Sequence, residues 1–338
     1  MRIIAFIVGV CVAWGSAFGQ SDGVLVERFD KAYAAADFAA AVRAAEAIAE
    51  RHPESGAWAF NAACANARVG ELDKAKAWIT AAADRGFDGV RSFETDEDLD
   101  PIRDSAEFAA AFAKVRAAAD ARLEGFKALA AGREPMVWVP AGADADHKVP
   151  AVIALHGTGG DARGMMDVWR EACERAGCAL IAIDAVRPGP GGRGYAWTYR
   201  DESAWLILKT LDEAVAAYPI DAGRVVLAGF SQGANVAMPF GVGHADRFRA
   251  VVACAGHYEA QIVDLEEAEG GERETPRYYF LIGARDEWAG TFRKALAEFR
   301  AAGVEAELEV VPGMGHAMPT GEAGAKRLER ALRWCLAE

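Results

Sequence analysis

Val225-Val226-Leu227-Ala228-Gly229-Phe230-Ser231-Gln232-Gly233 is the stretch on which the reading of this chain turns. Its apolar, β-branched start reads as a buried strand, Gly229-x-Ser231-x-Gly233 as a tight turn, and the residues from Gln232 to Ala245 as a helix. A serine at such a strand-to-helix turn sits in strained backbone geometry, with its hydroxyl lifted clear of the sheet edge. The glycines on either side let neighbouring segments come close, and the first N–H groups of the helix point at the same spot. Ser231 is therefore the candidate nucleophile.

A serine hydroxyl attacks poorly until a base takes its proton, so a histidine is required. Of the six in the chain, His316 ends Val311-Pro312-Gly313-Met314-Gly315-His316, a Gly-rich loop between the last strand and the last helix. Such a loop brings an imidazole back over the sheet edge. His257, just past a strand, is the alternative. The imidazole in turn needs a carboxylate to fix its tautomer. Asp286 follows the strand Tyr278–Ile282 in Gly283-Ala284-Arg285-Asp286, 30 residues before His316. Asp264, also downstream of a strand, is its rival, and a helix cap is the plain structural reading of Asp286.

The surroundings agree with that placement. Apolar runs at Met136–Val139, Val149–Leu155, Ala179–Ile183, Arg224–Ala228, Ala250–Ala255, Tyr278–Ile282 and Leu308–Val311 alternate with helical stretches at Asp161–Ala176, Glu202–Tyr218, Gln232–Ala245, Trp288–Ala302 and Gly321–Leu336. Continuous apolar strands between amphipathic helices predict a doubly wound, mostly parallel sheet covered on both faces. In such sheets the reactive groups collect at the C-terminal ends of the strands. One early strand ends in His156-Gly157-Thr158-Gly159-Gly160, whose free backbone N–H groups suit a developing oxyanion. His156 reads as a turn-stabilising residue there and not as a base. The loop Val186–Trp197 contains Gly189-Pro190-Gly191-Gly192-Arg193-Gly194, which satisfies G-x-G-x-x-G. No helix opens directly after it, so it is no dinucleotide fingerprint. It reads as a flexible wall of the substrate pocket, with Trp197 and Tyr199 as candidate lining. The acidic stretch Asp264–Glu274 reads as a surface loop, with a short lid as the alternative.

Upstream the grammar differs. From residue 20 to about residue 130 the chain is Ala-rich and helical in period. Ala36, Phe38, Ala41, Ala45, Ile48 and Pro53 are followed 34 residues later by Gly70, Leu72, Ala75, Ile79, Ala82 and Phe87. This resembles two tetratricopeptide repeats, whose period is 34; an ordinary helical bundle is the alternative. Two such units plus a helix over Asp104–Leu129 bury too little alone, so a cap, a second copy or a protein partner is expected for this half.

Residues 1–19 read as a signal peptide. Arg2 precedes an apolar run from Ile3 to Trp14 and the small residues Gly15-Ser16-Ala17-Phe18-Gly19, with cleavage after Ala17 or Gly19. The run falls short of the roughly 20 residues that a bilayer span needs, although an uncleaved anchor is the alternative. The expected location is periplasmic or secreted. Cleavage leaves Cys64, Cys173, Cys178, Cys254 and Cys335, an odd and scattered set that is no disulfide framework; a Cys173–Cys178 bridge is the one pairing that stays open. A net charge of −13 without a basic block argues against nucleic acid as a partner. Metal-binding spacings such as H-E-x-x-H and a phosphate-binding G-x-x-x-x-G-K do not occur.

Gly157-Thr158-Gly159-Gly160, Gly229-Phe230-Ser231-Gln232-Gly233, Gly283-Ala284-Arg285-Asp286 and Gly313-Met314-Gly315-His316 together resemble the phospholipase/carboxylesterase family of α/β-hydrolases, itself similar to dienelactone hydrolases and polyhydroxybutyrate-depolymerase-like esterases. The likeness covers about Met136 to the C-terminus, within a catalytic domain read as residues 131–338. It implies an α/β-hydrolase fold behind a smaller all-α, tetratricopeptide-like domain, and a Ser231-His316-Asp286 esterase without metal or organic cofactor. It assigns the oxyanion-hole N–H groups to Thr158 and Gln232. The substrate would be a small-molecule or polymer ester cleaved through an acyl-enzyme. A peptidase or thioesterase on the same triad, or a non-catalytic interaction protein using the helical half, are the alternatives. Gln232-Gly233-Ala234 lacks the second glycine often found after the elbow, and family members are frequently intracellular single domains.

Overall fold

The computed structural model describes residues 20–260, 263, 265 and 275–337 and separates into two compact units, with the boundary between Gly125 and Phe126. The expected signal segment, Asp264 and, apart from Leu265, the acidic stretch to Glu274 lie outside the described residues.

The first unit is helical: α1 (Gln20–Ala34), α2 (Phe38–Arg51), α3 (Gly56–Val69), α4 (Leu72–Asp84), α5 (Val90–Thr95), a 3-10 turn over Glu97–Ile102, and α6 (Ala106–Ala130), within which the unit boundary falls. Side-chain caps start several of these helices, α2 and α3 among them. Asp37 accepts from the Ala40 N–H and Ser55 from the Trp58 N–H, each satisfying a donor that the first turn leaves free. The 34-residue period is visible in three dimensions. Ala41 and Ala75, Ala45 and Ile79, and Ile48 and Ala82 occupy equivalent, fully buried places in α2 and α4. Ala36 and Gly70 both take a left-handed backbone, at φ 56° and 82°, in the turns that follow α1 and α3. Small residues at the buried positions let the paired helices approach.

Cys64, Asp96 and Asp98 meet in the interior of this unit, with the Cys64 thiol donating to Asp96 at 3.6 Å and the Tyr33 hydroxyl to Asp98. Burial, and then the neighbouring Asp98, raise the Asp96 carboxyl to about 6. A carboxyl raised on folding holds its proton where the unfolded chain has released it, so the unit loses stability as pH climbs from about 4 through about 6. Asp96→Asn keeps an acceptor for the Asp98 N–H and turns its NH2 toward the Cys64 sulfur, which then accepts where it had donated. It is expected to stabilise the helical unit at pH 7.5 by on the order of 1–2 kcal/mol, with the gain shrinking by pH 5. Thermal melts at the two pH values measure it; an equal or larger gain at pH 5 would refute the account.

The second unit is built on a seven-stranded sheet: β1 (Met136–Trp138), β2 (Val149–Leu155), β3 (Ala179–Ile183), β6 (Ile220–Phe230), β7 (Ala250–Cys254), β8 (Arg277–Gly283) and β9 (Ala306–Val311) in the order β1-β3-β2-β6-β7-β8-β9. Only the β1–β3 pair is antiparallel. The helices α7 (Ala162–Ala176), α8 (Arg200–Ala217), α9 (Gln232–Gly243), α10 (Ala289–Ala301) and α11 (Gly321–Cys335) connect the strands. β2, β3 and β7 are buried almost throughout, as strands covered on both faces must be. From β2 the chain moves outward to β3, then returns to lay β6 on the other side of β2. That reversal is a topological switch point, where a crevice opens at the C-terminal strand ends. Asp161 caps α7 by accepting from Gly164 N–H instead of opening the helix, and β6 begins at Ile220, four residues before the expected Arg224.

One expectation is corrected here, and one pairing left open is settled. Val186–Trp197 is not a flexible wall: β4 (Arg187–Pro188) and β5 (Tyr195–Ala196) pair as an antiparallel hairpin. The periodicity of a strand cannot register in two residues, which is why this hairpin escaped a reading based on pattern. Cys173 and Cys178 form no bridge; all five described cysteines are buried free thiols. Burial raises each of them, Cys178 and Cys254 to about 12, so they remain protonated packing groups.

Candidate active site

Ser231 leaves β6 at φ 52°, ψ −116° and serves as the N-cap of α9. A side chain in that region costs on the order of 1–3 kcal/mol, and the turn is held by flanking hydrogen bonds. Ser231 N–H donates to Cys254 O at 2.9 Å, while Ser231 O accepts from Ala234 and Asn235 N–H. Gly233 is required by contact: a Cβ there would lie 2.4 Å from Leu155 O. The elbow can therefore press against the end of β2 only with hydrogen at that position.

His316 and Asp286 arrive from two adjacent loops that are tied together. Ala284 N–H donates to Val311 O, Arg285 N–H to Met314 O, and the Arg285 guanidinium to Gly313 O. The Ser231 hydroxyl lies 2.9 Å from His316 Nε2, and His316 Nδ1 lies 2.9 Å from Asp286 Oδ2. A carboxylate only accepts, so Nδ1 carries the proton and Nε2 is left to take one from Ser231. The Asp286 side chain is 0% exposed and that of His316 43%, so the orienting charge is shielded while the base faces the crevice. Asp286 Oδ1 accepts from Trp288 N–H at 3.0 Å, which spends both carboxylate oxygens.

Gln232 follows the serine directly, and Gly157, next to Thr158, packs against it: a Cβ on Gly157 would lie 3.0 Å from the Ser231 Cβ. Neither Thr158 N–H nor Gln232 N–H donates to a protein acceptor among the described residues. Residues 200–325 match the phospholipase/carboxylesterase family. Esterase PE8 is similar at 23% identity with a TM-score of 0.50, over 60% of this chain and 99% of that one. A protein from Bacillus cereus ATCC 10987 is similar at 18% identity and the same TM-score of 0.50, over 92% of this chain and 97% of that one. No curated protein matches the chain. The second unit is an α/β-hydrolase of the carboxylesterase type.

Around the triad of this α/β-hydrolase the structure gives Trp197, Tyr199 and His156 fixed partners. Trp197 is only 6% exposed, and its indole N–H donates to His156 O at 2.9 Å. It is a buried strut between the hairpin and the end of β2. Tyr199 is half-buried as the N-cap residue of α8, with the Arg187 guanidinium 5.5 Å above its ring. His156 does more than stiffen a turn through its backbone. Its Nδ1–H donates to Gly157 O at 2.7 Å, and its Nε2 accepts from Ala185 N–H at 3.0 Å. Holding Gly157 O turns the following peptide so that Thr158 N–H points the opposite way. Burial keeps the imidazole below its usual pKa, hence neutral, as the acceptor at Nε2 demands. The His257 ring is engaged elsewhere than with Ser231 or Asp286, 4.2 Å from the ring of Trp288 and with Nδ1 3.1 Å from Glu259.

Asn235, Arg187 and Glu202 were missed by sequence reasoning. Asn235, one helical turn after the nucleophile, accepts from His257 N–H at 2.8 Å. Arg187 forms a forked ion pair with Glu202, which is 2% exposed. No motif marks such pairs, because their partners are set by the fold and not by spacing.

Proposed function

We propose that this hydrolase cleaves carboxylic esters through an acyl-enzyme on Ser231. The observation that supports this reading best is the single imidazole bonded at 2.9 Å to the serine hydroxyl on one side and to a buried carboxylate on the other. His316 Nε2 takes the Ser231 proton as Oγ bonds to the ester carbonyl carbon. Thr158 and Gln232 N–H receive the negative oxygen of the tetrahedral intermediate. Collapse of that intermediate breaks the carbon–oxygen bond to the alcohol, which leaves with the proton from His316. Water then repeats the sequence on the acyl-enzyme, giving the acid and restoring Ser231. The Asp286 carboxylate stabilises the imidazolium that forms.

The physiological substrate on this reading is a small-molecule or polymer ester, and the enzyme acts after export, in the periplasm or outside the cell. The helical unit supplies a surface for a protein partner or for a second copy. Ser231→Ala is expected to abolish fluorophosphonate labelling and to lower turnover of p-nitrophenyl butyrate at least about 1,000-fold. Undiminished turnover in that variant would sink the proposal. Esters, thioesters and peptides assayed side by side separate the esterase from its two catalytic alternatives.

A further inference from the structure

We infer that the β4–β5 hairpin and the residue after it form a clamp that sets the oxyanion hole, making the Gln232 carboxamide and the Trp197 indole positioning groups for catalysis. The inference rests on the ester-hydrolase reading above. The two candidate donors come from separate elements: Thr158 follows β2 and Gln232 opens α9. The ladder between β2 and β6 ends at the Leu155–Gly229 pair, so backbone pairing in the sheet holds neither donor. Both must nevertheless lie about 2.7–3.1 Å from one oxygen atom.

Tyr195–Trp197 closes that gap from one side. Gly159 N–H donates to Tyr195 O at 2.8 Å and Tyr195 N–H to Gly160 O at 3.0 Å, an isolated antiparallel bridge. The approach is so close that a Cβ on Gly194 would stand 2.1 Å from Gly159 O. Two residues on, the same strand grips the other half of the hole. Trp197 N–H donates to Gln232 Oε1 at 3.0 Å, and Gln232 Nε2–H donates to Trp197 O at 3.0 Å. The side chain of Gln232 thus pairs with the hairpin as a backbone would, while its own N–H donates to no protein acceptor among the described residues. The Trp197 indole adds a third tie, to His156 O, one peptide before the bond that His156 orients. At the base of the hairpin, Arg187 is locked to Glu202 in the first turn of α8. Tyr195 and Trp197 therefore touch both halves of the hole, and Ala196 between them pairs with Arg187, which is anchored on the buried Glu202 carboxylate.

Two variants leave both oxyanion N–H groups in place and remove the ties. Gln232→Met keeps length and bulk without the carboxamide, and Trp197→Phe removes only the bond to His156 O along with part of the ring. Each is expected to lower kcat for p-nitrophenyl butyrate by about 10- to 100-fold, with KM within about twofold. The affinity for an alkyl trifluoromethyl ketone, whose serine adduct carries the tetrahedral oxyanion, is expected to fall by the same factor as kcat/KM. Loss of one or two hydrogen bonds costs a melting shift of about 2–8 °C, so the folded protein remains assayable. A raised KM with kcat and ketone affinity unchanged would overturn the inference and make these residues pocket wall. Unchanged kinetics in both variants would overturn it as well. Absence of ester turnover and of fluorophosphonate labelling in the wild type would instead remove the ester-hydrolase reading, and the clamp with it.

Discussion

Asp286→Asn lowers kcat for a simple ester by about 10,000-fold, with little change in KM or in the melting midpoint. The size of the loss follows from hydrogen-bond accounting at one side chain. Asp286 uses Oδ2 toward His316 Nδ1–H and Oδ1 toward Trp288 N–H. Asparagine offers one carbonyl oxygen and one amide nitrogen, which only donates. Trp288 N–H is a fixed donor, so the oxygen turns to it and the NH2 faces His316. The imidazole answers by accepting at Nδ1, which moves its proton to Nε2. That nitrogen then donates to Ser231 Oγ and can no longer take the serine proton. Geometry is kept and the base is lost. Steady-state assays with active-site titration measure the effect. A loss smaller than about tenfold would put a different carboxylate behind His316, and Asp264 is the one the sequence offers.

Much of this site is legible in the sequence because backbone geometry leaves it few choices. A positive φ at Ser231 and the contact between Gly233 and Leu155 O are what Gly229-x-Ser231-x-Gly233 encodes. Asp286 and His316 are legible for a related reason: each stands just beyond the C-terminal end of a parallel strand, where the paired β8 and β9 put them side by side. The helical repeat shows through because Ala36 and Gly70 must both turn left-handed after a helix. Helix limits differ by a residue or two where a cap had been counted as the first helical residue, as at Asp161.

What was not legible is held by side chains reaching across the fold. Trp197 looked like pocket lining because an aromatic residue on a Gly-rich loop near the reactive edge is usually amphipathic surface. Its partners lie 35 and 41 positions away, at Gln232 and His156, and no local pattern reports on them. The glycines of Gly189–Gly194 were read as freedom to move. Gly194 instead marks a close approach to Gly159 O, the opposite use of the same residue. His156 was assigned to its backbone, yet both ring nitrogens are engaged. A neutral imidazole with one donor and one acceptor can bridge two loops, and only the position of Ala185 N–H shows that it does.

The second large effect is expected at Gly283→Ala, a change of one methyl group outside the triad. Gly283 ends β8 opposite Val311, and a Cβ there would meet Met314 O at 2.2 Å and Gly315 O at 2.4 Å. These are backbone atoms of the loop that carries His316, so no rotamer change relieves the clash. The loop must lift, straining the Arg285 N–H bond to Met314 O that ties it to the Asp286 turn. Overpacking of this kind costs on the order of 1–3 kcal/mol, a melting shift of roughly 2–12 °C for a domain of this size. Displacing the imidazole by about 1 Å from both its partners costs about 100-fold in kcat/KM. Gly290→Ala is the control, since its Cβ meets nothing within 4 Å at the start of α10 and alanine favours the helix. Differential scanning fluorimetry and ester kinetics on both variants give the comparison. A Gly283→Ala enzyme that melts lower yet keeps wild-type kcat/KM would mean that the loop re-seats His316 independently of the Asp286 turn. Loss of activity out of proportion to loss of stability is what the contact between the two turns requires, because the methyl group separates the base from its carboxylate before it unfolds anything.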